Sequence, residues 1–294
     1  MSIRSSVIDA ILKQFNSKKV FEDDAKFEDY IERKRKINMK KYSLIYPFSK
    51  SIIVESQRIS GMQYYVINRS KCEETIFYFH GGSYIDRPLL FHFRFVEKIV
   101  KAKDVCVVFP IYPRLPDNTH EVCYKKVEKL FADFVSKNEV KKVVFMGDSA
   151  GGGLALGVAQ QVRDNHDYFK NKKQKVILLS PWLDVSTDNQ VIKKIKNDYQ
   201  LSQIGLQKLG RLWANGNTKK APASPLFGDV NCGEITVVTG TREILYPDNI
   251  LLKQKVESCG LKINFYAHEN MGHCFMLMPV PEAEVAFKQI VKHI

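Results

Sequence analysis

Long apolar runs are missing from this sequence of 294 residues. A membrane-spanning helix needs about 20 consecutive apolar residues, so we expect no stable membrane insertion. The amino-terminal residues also lack a basic region followed by an apolar stretch. We therefore expect no secretory signal and a cytoplasmic location.

Paired metal-binding cysteines are missing too, because none of the six cysteines forms a CxxC pair. Their spacing gives no zinc motif, and we predict no metal site. Several cysteines lie in apolar runs, as Cys106 does, and these are expected to be small buried hydrophobic side chains.

Positive charge is in excess, with 45 Lys and Arg against 32 Asp and Glu and a net charge of +13. The basic clusters at 33–36, 40–41 and 172–173 are not interleaved with stacking aromatics, so nucleic acid is not an expected partner. We interpret the charge as a solvated basic surface, with weak association with an anionic lipid surface left open. The oligomeric state is left open as well.

The amino-terminal segment 1–48 is charged and mostly helix-compatible, and we predict that it forms a helical cap segment. Apolar residues recur there at the spacing of an amphipathic helix, namely Val7, Ile8, Ile11, Leu12 and Phe15. A second irregular stretch, at about 184–223, interrupts the later pattern and contains one amphipathic helix near 202–213, with Ser202 as its N-cap. This stretch is predicted to be an insertion that covers a site.

Between these segments, short apolar runs alternate with helical patterns. Runs without polar alternation, such as 143–146 and 176–179, are typical of strands covered on both faces. Eight strands are predicted, at 52–56, 63–67, 75–80, 105–110, 142–147, 175–180, 235–240 and 262–267. Helices are predicted at 89–101, 119–137, 150–165, 247–258 and 281–293. The alternation predicts an α/β fold with a mostly parallel sheet flanked by helices.

The pentapeptide 147–151 (GDSAG) follows an apolar strand and opens a helical run. A GxSxG sequence between strand and helix is typical of a nucleophile elbow, with Ser149 as the nucleophile. The turn strains the serine backbone, and small neighbours avoid a clash. The alternative is a glycine-rich packing turn.

A second glycine loop, 80–84 (HGGSY), follows another apolar strand. Such a loop can offer backbone N–H groups to a tetrahedral oxyanion. We predict Gly82 and Ser83 as donors, together with Ala150 after the nucleophile. Gly81 is a further candidate that more simply shapes the turn, and His80 is predicted to orient the loop.

The base and the acid should follow the last strands, in the chain order serine, acid, histidine. His273 lies just after the last predicted strand and is preceded by a glycine, whereas His268 fits a surface histidine better. Glu243 is the first acidic residue after the strand 235–240 and is our preferred acid. Asp248 is the alternative, although it could instead stabilise the start of the following helix.

Taken together, these blocks resemble the hormone-sensitive lipase family of α/β-hydrolases. The resemblance rests on 80–84 (HGGSY), 147–152 (GDSAGG), 180–184 (SPWLD) and 271–275 (MGHCF), with support from 110–116 and 224–229. It spans about residues 50–294, so 49–294 is predicted to be the catalytic domain. Two departures from the family pattern stand out, a serine at Ser83 in place of the third loop glycine and a glutamate at Glu243.

The resemblance implies a serine carboxylesterase for short- to medium-chain acyl esters, with the triad Ser149, Glu243 and His273 and without a cofactor. A small-molecule ester is then the expected partner. Two alternatives stay open, an amidase or deacylase with the same triad and a non-catalytic ligand-binding protein on a hydrolase scaffold. Tyr84, Leu206 and Trp213 are candidates for the acyl pocket, although core packing is the favoured role for each.

Overall fold

A mixed eight-stranded sheet forms the centre of the computed structural model, which describes residues 2–14, 19–165 and 174–294. The strands lie in the order β1-β2-β4-β3-β5-β6-β7-β8. β2 pairs antiparallel with β1 and with β4, and the other neighbours are parallel. The strands are β1 Val54–Ile59, β2 Met62–Ile67, β3 Glu74–Phe79, β4 Cys106–Pro110, β5 Lys142–Asp148, β6 Lys175–Leu179, β7 Glu234–Gly240 and β8 Ile263–His268.

The helices connect these strands and cover both faces of the sheet. They are α1 Ile3–Gln14, α2 Lys19–Glu22, α3 Asp24–Asn38, α4 Leu90–Lys103, α5 His120–Lys137, α6 Ala150–Asn165, α7 Gln203–Trp213, α8 Tyr246–Ser258 and α9 Pro281–Lys292. Side chains of α5, α6 and α8 belong to the hydrophobic core on one face. Side chains of α4 and α9 belong to the core on the other face.

The predicted α/β fold is confirmed, because each of the eight predicted strands overlaps an observed one. The central strands are buried on both faces, as their unbroken apolar runs indicated. In β3, Phe77 and Phe79 face one core, whereas Ile76 and Tyr78 face the other. The predicted helix near 202–213 is α7, and its N-cap Ser202 accepts a hydrogen bond from the N–H of Gly205 at 3.2 Å. Phe15 and the basic pair 172–173 lie outside the described residues.

The amino-terminal helices pack on the insertion that carries α7. Phe21 of α2 lies against Gly205 of α7, where a Cβ atom would approach the Phe21 ring to 2.6 Å. Lys208 of α7 forms an ion pair with Asp24 of α3 at 2.6 Å. At the far end of α3, the amide of Asn38 donates to backbone carbonyls of the loops that follow β3 and β4. These contacts place α2, α3 and α7 together above the carboxyl ends of the strands.

In the described part of the chain no disulfide joins the six cysteines, and Cys259 is the exposed one. The burial of the other five agrees with the apolar runs in which several of them occur. Among the helices that the structure describes, none has the length and apolar character needed to cross a membrane.

Candidate active site

Ser149 lies at the turn between β5 and α6, at the carboxyl edge of the sheet. Its φ of 55° is a strained value for a residue with a side chain. Both flanking positions must be glycine, because backbone carbonyl groups lie where a Cβ atom would be. A Cβ atom on Gly147 would lie 2.2 Å from the Gly151 carbonyl oxygen, and one on Gly151 would lie 2.0 Å from that of Phe79. The sequence GDSAG therefore forms the sharp elbow that its spacing predicted.

His273 reaches this serine from the loop after β8. Its Nε2 atom lies 2.9 Å from Ser149 Oγ, and both residues are buried. On the other side of the ring, Nδ1 forms a short hydrogen bond with Glu243 Oε2. The competing His268 contacts Gln289 at 2.8 Å instead. The structure thus brings together Ser149, His273 and Glu243, which are distant in sequence.

Glu243 is fully buried in the turn after β7. Its Oε1 atom accepts hydrogen bonds from Thr239 Oγ1 at 2.5 Å and from the backbone N–H of Gly240 at 3.1 Å. The Asn249 amide donates to Thr239 Oγ1 at 3.0 Å, which directs the threonine proton toward the carboxylate. Sequence reasoning missed Thr239 and Asn249, although both flank the acid. These contacts leave Oε2 free to face His273.

Asp248, the alternative acid, lies in the first turn of α8 and is turned away from His273. Its Oδ1 atom accepts a hydrogen bond from Asn189 at 2.7 Å, and its Oδ2 atom is buried without a partner among the described residues. Burial is the main cause that raises the pKa of Asp248 to about 6. The nearby carboxylates of Asp184 and Asp188 add to this effect.

The electrostatic surroundings of His273 favour its protonated form. Burial by itself lowers the pKa of His273, because desolvation disfavours a charged imidazole. The buried Glu243 carboxylate, which contacts Nδ1, opposes this effect and raises the pKa of His273. A carboxylate at this position can stabilise the imidazolium that forms when the ring takes a proton.

The glycine loop after β3 faces the elbow. Gly82, Ser83 and Tyr84 have φ values of 111°, 50° and 59°, so three successive residues adopt the left-handed region. The Gly82 carbonyl accepts hydrogen bonds from Ile85 and Asp86, which closes the turn. Within the described part of the chain, no acceptor contacts the N–H groups of Gly82, Ser83 or Ala150. All three are therefore available to an incoming oxyanion.

Gly81 differs from these donors, because its N–H is already used. It donates to Asp148 Oδ2 at 3.0 Å. A Cβ atom on Gly81 would lie 2.4 Å from the same carboxylate oxygen and 3.1 Å from Ser149 Cβ. Gly81 shapes the turn by close approach to the elbow, and we remove it from the candidate oxyanion donors.

His80 is buried at the start of this loop and stacks on Tyr112, with ring centroids 4.5 Å apart. Its Nδ1 atom contacts the Gly81 carbonyl at 2.7 Å. Burial lowers the pKa of His80 well below its ordinary value, so the ring stays neutral. These contacts agree with a residue that orients the loop.

The three candidates for the acyl pocket belong to the hydrophobic core. Tyr84 and Trp213 are fully buried and stack face to face, with centroids 4.0 Å apart. Trp182 also stacks on Tyr84, with ring centroids 5.5 Å apart. Leu206 is also buried in this core. Packing accounts for all three positions, so we assign no substrate contact to Tyr84, Leu206 or Trp213.

A cavity opens beside His273, and α1 forms one of its walls. The wall is held by an ion pair between Asp9 of α1 and Arg242 and by a hydrogen bond from Ser5 Oγ to Glu282 Oε2 at 2.7 Å. The cavity is lined by Ser5, Ile8, Asp9, Gln200, Arg242, Met271, Gly272, His273, Phe275, Met278 and Val280. In the described ranges, no group of three or more His, Cys, Asp or Glu side chains is arranged to hold a metal ion.

The mixed sheet, the elbow and the histidine loop define the class of α/β-hydrolases. The α/β-hydrolase fold family matches residues 76–277 of the chain. An esterase of Acinetobacter venetianus is 23% identical over 84% of both proteins. Among solved structures, a suspected esterase from Staphylococcus aureus is 30% identical over 92% of both chains, with a TM-score of 0.83. An esterase described as a bacterial member of the hormone-sensitive lipase family superimposes with a TM-score of 0.80 at 19% identity, over 99% of this chain and 97% of the other.

These matches agree with the motifs read from the sequence. The chain belongs to the α/β-hydrolase family, in its hormone-sensitive-lipase-like branch of esterases and lipases. The resemblance on which the sequence interpretation rested is therefore confirmed, as is the assignment to the hydrolases.

Proposed function

We propose that the protein is a serine carboxylesterase that hydrolyses short- to medium-chain acyl esters through an acyl-enzyme intermediate. One observation carries the proposal, namely the unbroken hydrogen-bond chain from Ser149 through His273 to Glu243. Nucleophile, base and orienting acid are each within hydrogen-bond reach of the next, as this chemistry requires. Glu243 is the proposed acid, because Asp248 contacts Asn189 instead.

The reaction begins when Ser149 Oγ attacks the ester carbonyl carbon and His273 Nε2 takes the hydroxyl proton. The tetrahedral intermediate then collapses, the bond to the alcohol breaks, and His273 returns the proton to the departing alkoxide. Water repeats the sequence on the acyl-enzyme and releases the carboxylic acid. Glu243 holds the ring orientation and stabilises its positive form throughout.

The oxyanion is proposed to bind the N–H groups of Gly82, Ser83 and Ala150. The two loop donors lie on the left-handed turn after β3, and the third lies at the start of α6. The helix start adds a favourable dipole for developing negative charge. The Ser83 side chain replaces the glycine of the family pattern, and its backbone N–H is still present.

The lining of the cavity beside His273 favours an uncharged acyl or alcohol group, while its volume of about 20 Å³ in this structure holds only about one water molecule. Much of its lining is apolar, with Ile8, Met271, Phe275, Met278 and Val280 among the contributing side chains. The charged pair Asp9 and Arg242 is neutralised within the wall. This lining favours a small-molecule ester, because it offers no unpaired charge for an ionic substrate.

We further propose that residues 1–48 and the insertion 184–223 form a cap over a catalytic domain at 49–294. The packing of α2 and α3 on α7 supports this division. A cytoplasmic location is supported by cysteines that form no disulfide among the described residues. The net charge of +13 supports weak association with anionic surfaces.

The proposal is tested by Ser149→Ala with p-nitrophenyl esters of increasing acyl length. We expect the wild-type protein to hydrolyse the short esters and the variant to lose this activity while keeping its melting temperature. A fluorophosphonate probe should label wild-type protein once, at Ser149, and should not label the variant. Full activity in Ser149→Ala would refute the assignment.

The same assay separates the alternatives. Faster turnover of matched amides than of esters would identify an amidase or deacylase. Wild-type protein without turnover or labelling would identify a ligand-binding protein on a hydrolase scaffold.

A further inference from the structure

Asp148, the residue before the nucleophile, has a carboxylate that the mechanism above does not use. It is buried, and three donors converge on it. Tyr78 Oη donates to Oδ1 at 2.7 Å, the Gly81 N–H donates to Oδ2 at 3.0 Å, and His92 Nε2 lies 3.3 Å from Oδ2. Because an ionised carboxylate only accepts hydrogen bonds, it suits this arrangement of donors.

His92 is held so that it can donate to Asp148. It lies in the first turn of α4, where its Nδ1 atom accepts the backbone N–H of Leu89 at 2.9 Å. A neutral imidazole that accepts at Nδ1 carries its proton at Nε2. That proton therefore points to Asp148 Oδ2, and the His92 side chain is only 3% exposed.

Tyr78 approaches the carboxylate from β3. Burial and the adjacent charge of Asp148 raise the pKa of Tyr78 well above its ordinary value. The hydroxyl therefore keeps its proton and donates it to Oδ1. Tyr78 and His92 come from different elements, a central strand and the helix that follows the oxyanion loop.

The carboxylate joins two parts of the active site. Asp148 precedes Ser149 in the elbow, and its Oδ2 atom binds Gly81, the residue before the oxyanion donor Gly82. The contact is close enough that only glycine fits at position 81. The proposed oxyanion position lies between the nucleophile elbow and the oxyanion loop. The separation of these two segments therefore fixes the distance from Ser149 to two of the three oxyanion donors, Gly82 and Ser83.

We propose that His92 and Tyr78 are positioning residues, which hold the Asp148 carboxylate so that it fixes the oxyanion loop against the nucleophile elbow. The inference rests on the proposed esterase function. Neither residue touches the substrate, and both act through Asp148. Displacing reacting groups by about 1 Å can cost about 10²-fold in rate.

The test compares His92→Phe with His92→Gln, with kcat normalised to the fraction of protein labelled by a fluorophosphonate. Both substitutions remove the acceptor at Nδ1, but only glutamine can place an N–H near the Nε2 position. We expect kcat for p-nitrophenyl butyrate to fall about 10²-fold in His92→Phe, with KM within about twofold of wild type. His92→Gln should recover most of this loss.

Tyr78→Phe is the second variant, and it tests the positioning proposal if the His92 variants do not fold. It keeps the buried ring and removes only the hydroxyl, so we expect about a tenfold loss in kcat at unchanged KM. The proposal is overturned if normalised kcat stays at the wild-type value in the folded variants, or if His92→Gln is no better than His92→Phe. Wild-type protein without esterase activity would instead refute the proposed function, so the two failures are distinguishable.

Discussion

Replacing Glu243 by glutamine is expected to reverse the proton arrangement on His273. Thr239 Oγ1 and the Gly240 N–H both donate to Oε1. In the variant, the amide oxygen must take that place, because an amide nitrogen there would meet two donors. The NH2 group then faces His273 Nδ1 and can only donate to it. Nδ1 becomes the acceptor, and the proton moves to Nε2, where Ser149 needs a base.

The size of the effect follows from this tautomer change. The same kind of substitution, a carboxylate changed to an amide in a serine protease triad, lowers kcat by about 10⁴. That loss corresponds to about 5.4 kcal/mol of transition-state stabilisation. We expect a comparable loss in Glu243→Gln, with little change in folding, because the two hydrogen bonds to the amide oxygen remain.

The assay is kcat and KM for p-nitrophenyl butyrate at a pH where the wild-type protein is fully active. Asp248→Asn is the matched control, because it also changes a buried carboxylate after β7 to an amide. The control should stay within about threefold of wild type, since Asp248 contacts Asn189 and not His273. A larger loss in Asp248→Asn than in Glu243→Gln would refute the assignment of the acid.

Two further predictions concern pH. The pKa of Asp248 rises from 3.8 to about 6 in the folded protein. Between about pH 4 and 6 the folded state therefore holds a proton that the unfolded state has lost. The free energy of unfolding should fall as pH rises through this range. In Asp248→Asn, the free energy of unfolding from chemical denaturation should no longer depend on pH in this range, and it should be up to about 3 kcal/mol higher at pH 7 than in the wild type. An unchanged pH dependence would contradict the burial argument. The Glu243 carboxylate raises the pKa of His273 against the effect of burial. We therefore expect kcat/KM to decline on acidification with a midpoint above pH 6.5. A midpoint at or below this value would show that Glu243 does not raise the pKa of the base.

Much of the fold could be predicted because its signals are local. The apolar runs of the central strands, such as 143–146, are long enough to specify strands buried on both faces. The elbow and the glycine loop are also local, since a close backbone approach requires glycine at fixed positions. Ser149 and His273 follow from the order of these segments along the chain.

Spacing favoured Glu243 over Asp248, as the first acidic residue after the strand, but left Asp248 open as the alternative acid. Both carboxylates follow β7 closely, and the direction of the turn decides which of them faces His273. The turn is held by Thr239 and Asn249, and their contacts arise only when β7 and α8 pack. No sequence pattern reports such a contact.

The position of α1 in the wall of the cavity beside His273 could not be predicted from local sequence patterns either. Its apolar spacing predicted an amphipathic helix but not which surface it covers. Ser5, Ile8 and Asp9 line the cavity beside His273, because long-range contacts with Arg242 and Glu282 hold the helix there. These partners follow α1 by more than 200 residues of chain.

The stacking of Tyr84 with two indole rings makes the intrinsic tryptophan fluorescence of the protein a reporter of this region. The chain has only two tryptophans, Trp182 and Trp213, and both are fully buried against Tyr84. Tyr84 ends the oxyanion loop, whereas Trp213 ends α7. Intrinsic tryptophan emission therefore reports on the contact between this loop and the insertion. A change in tryptophan emission on acylation would therefore report, without an added dye, a change in the contact between the oxyanion loop and the insertion.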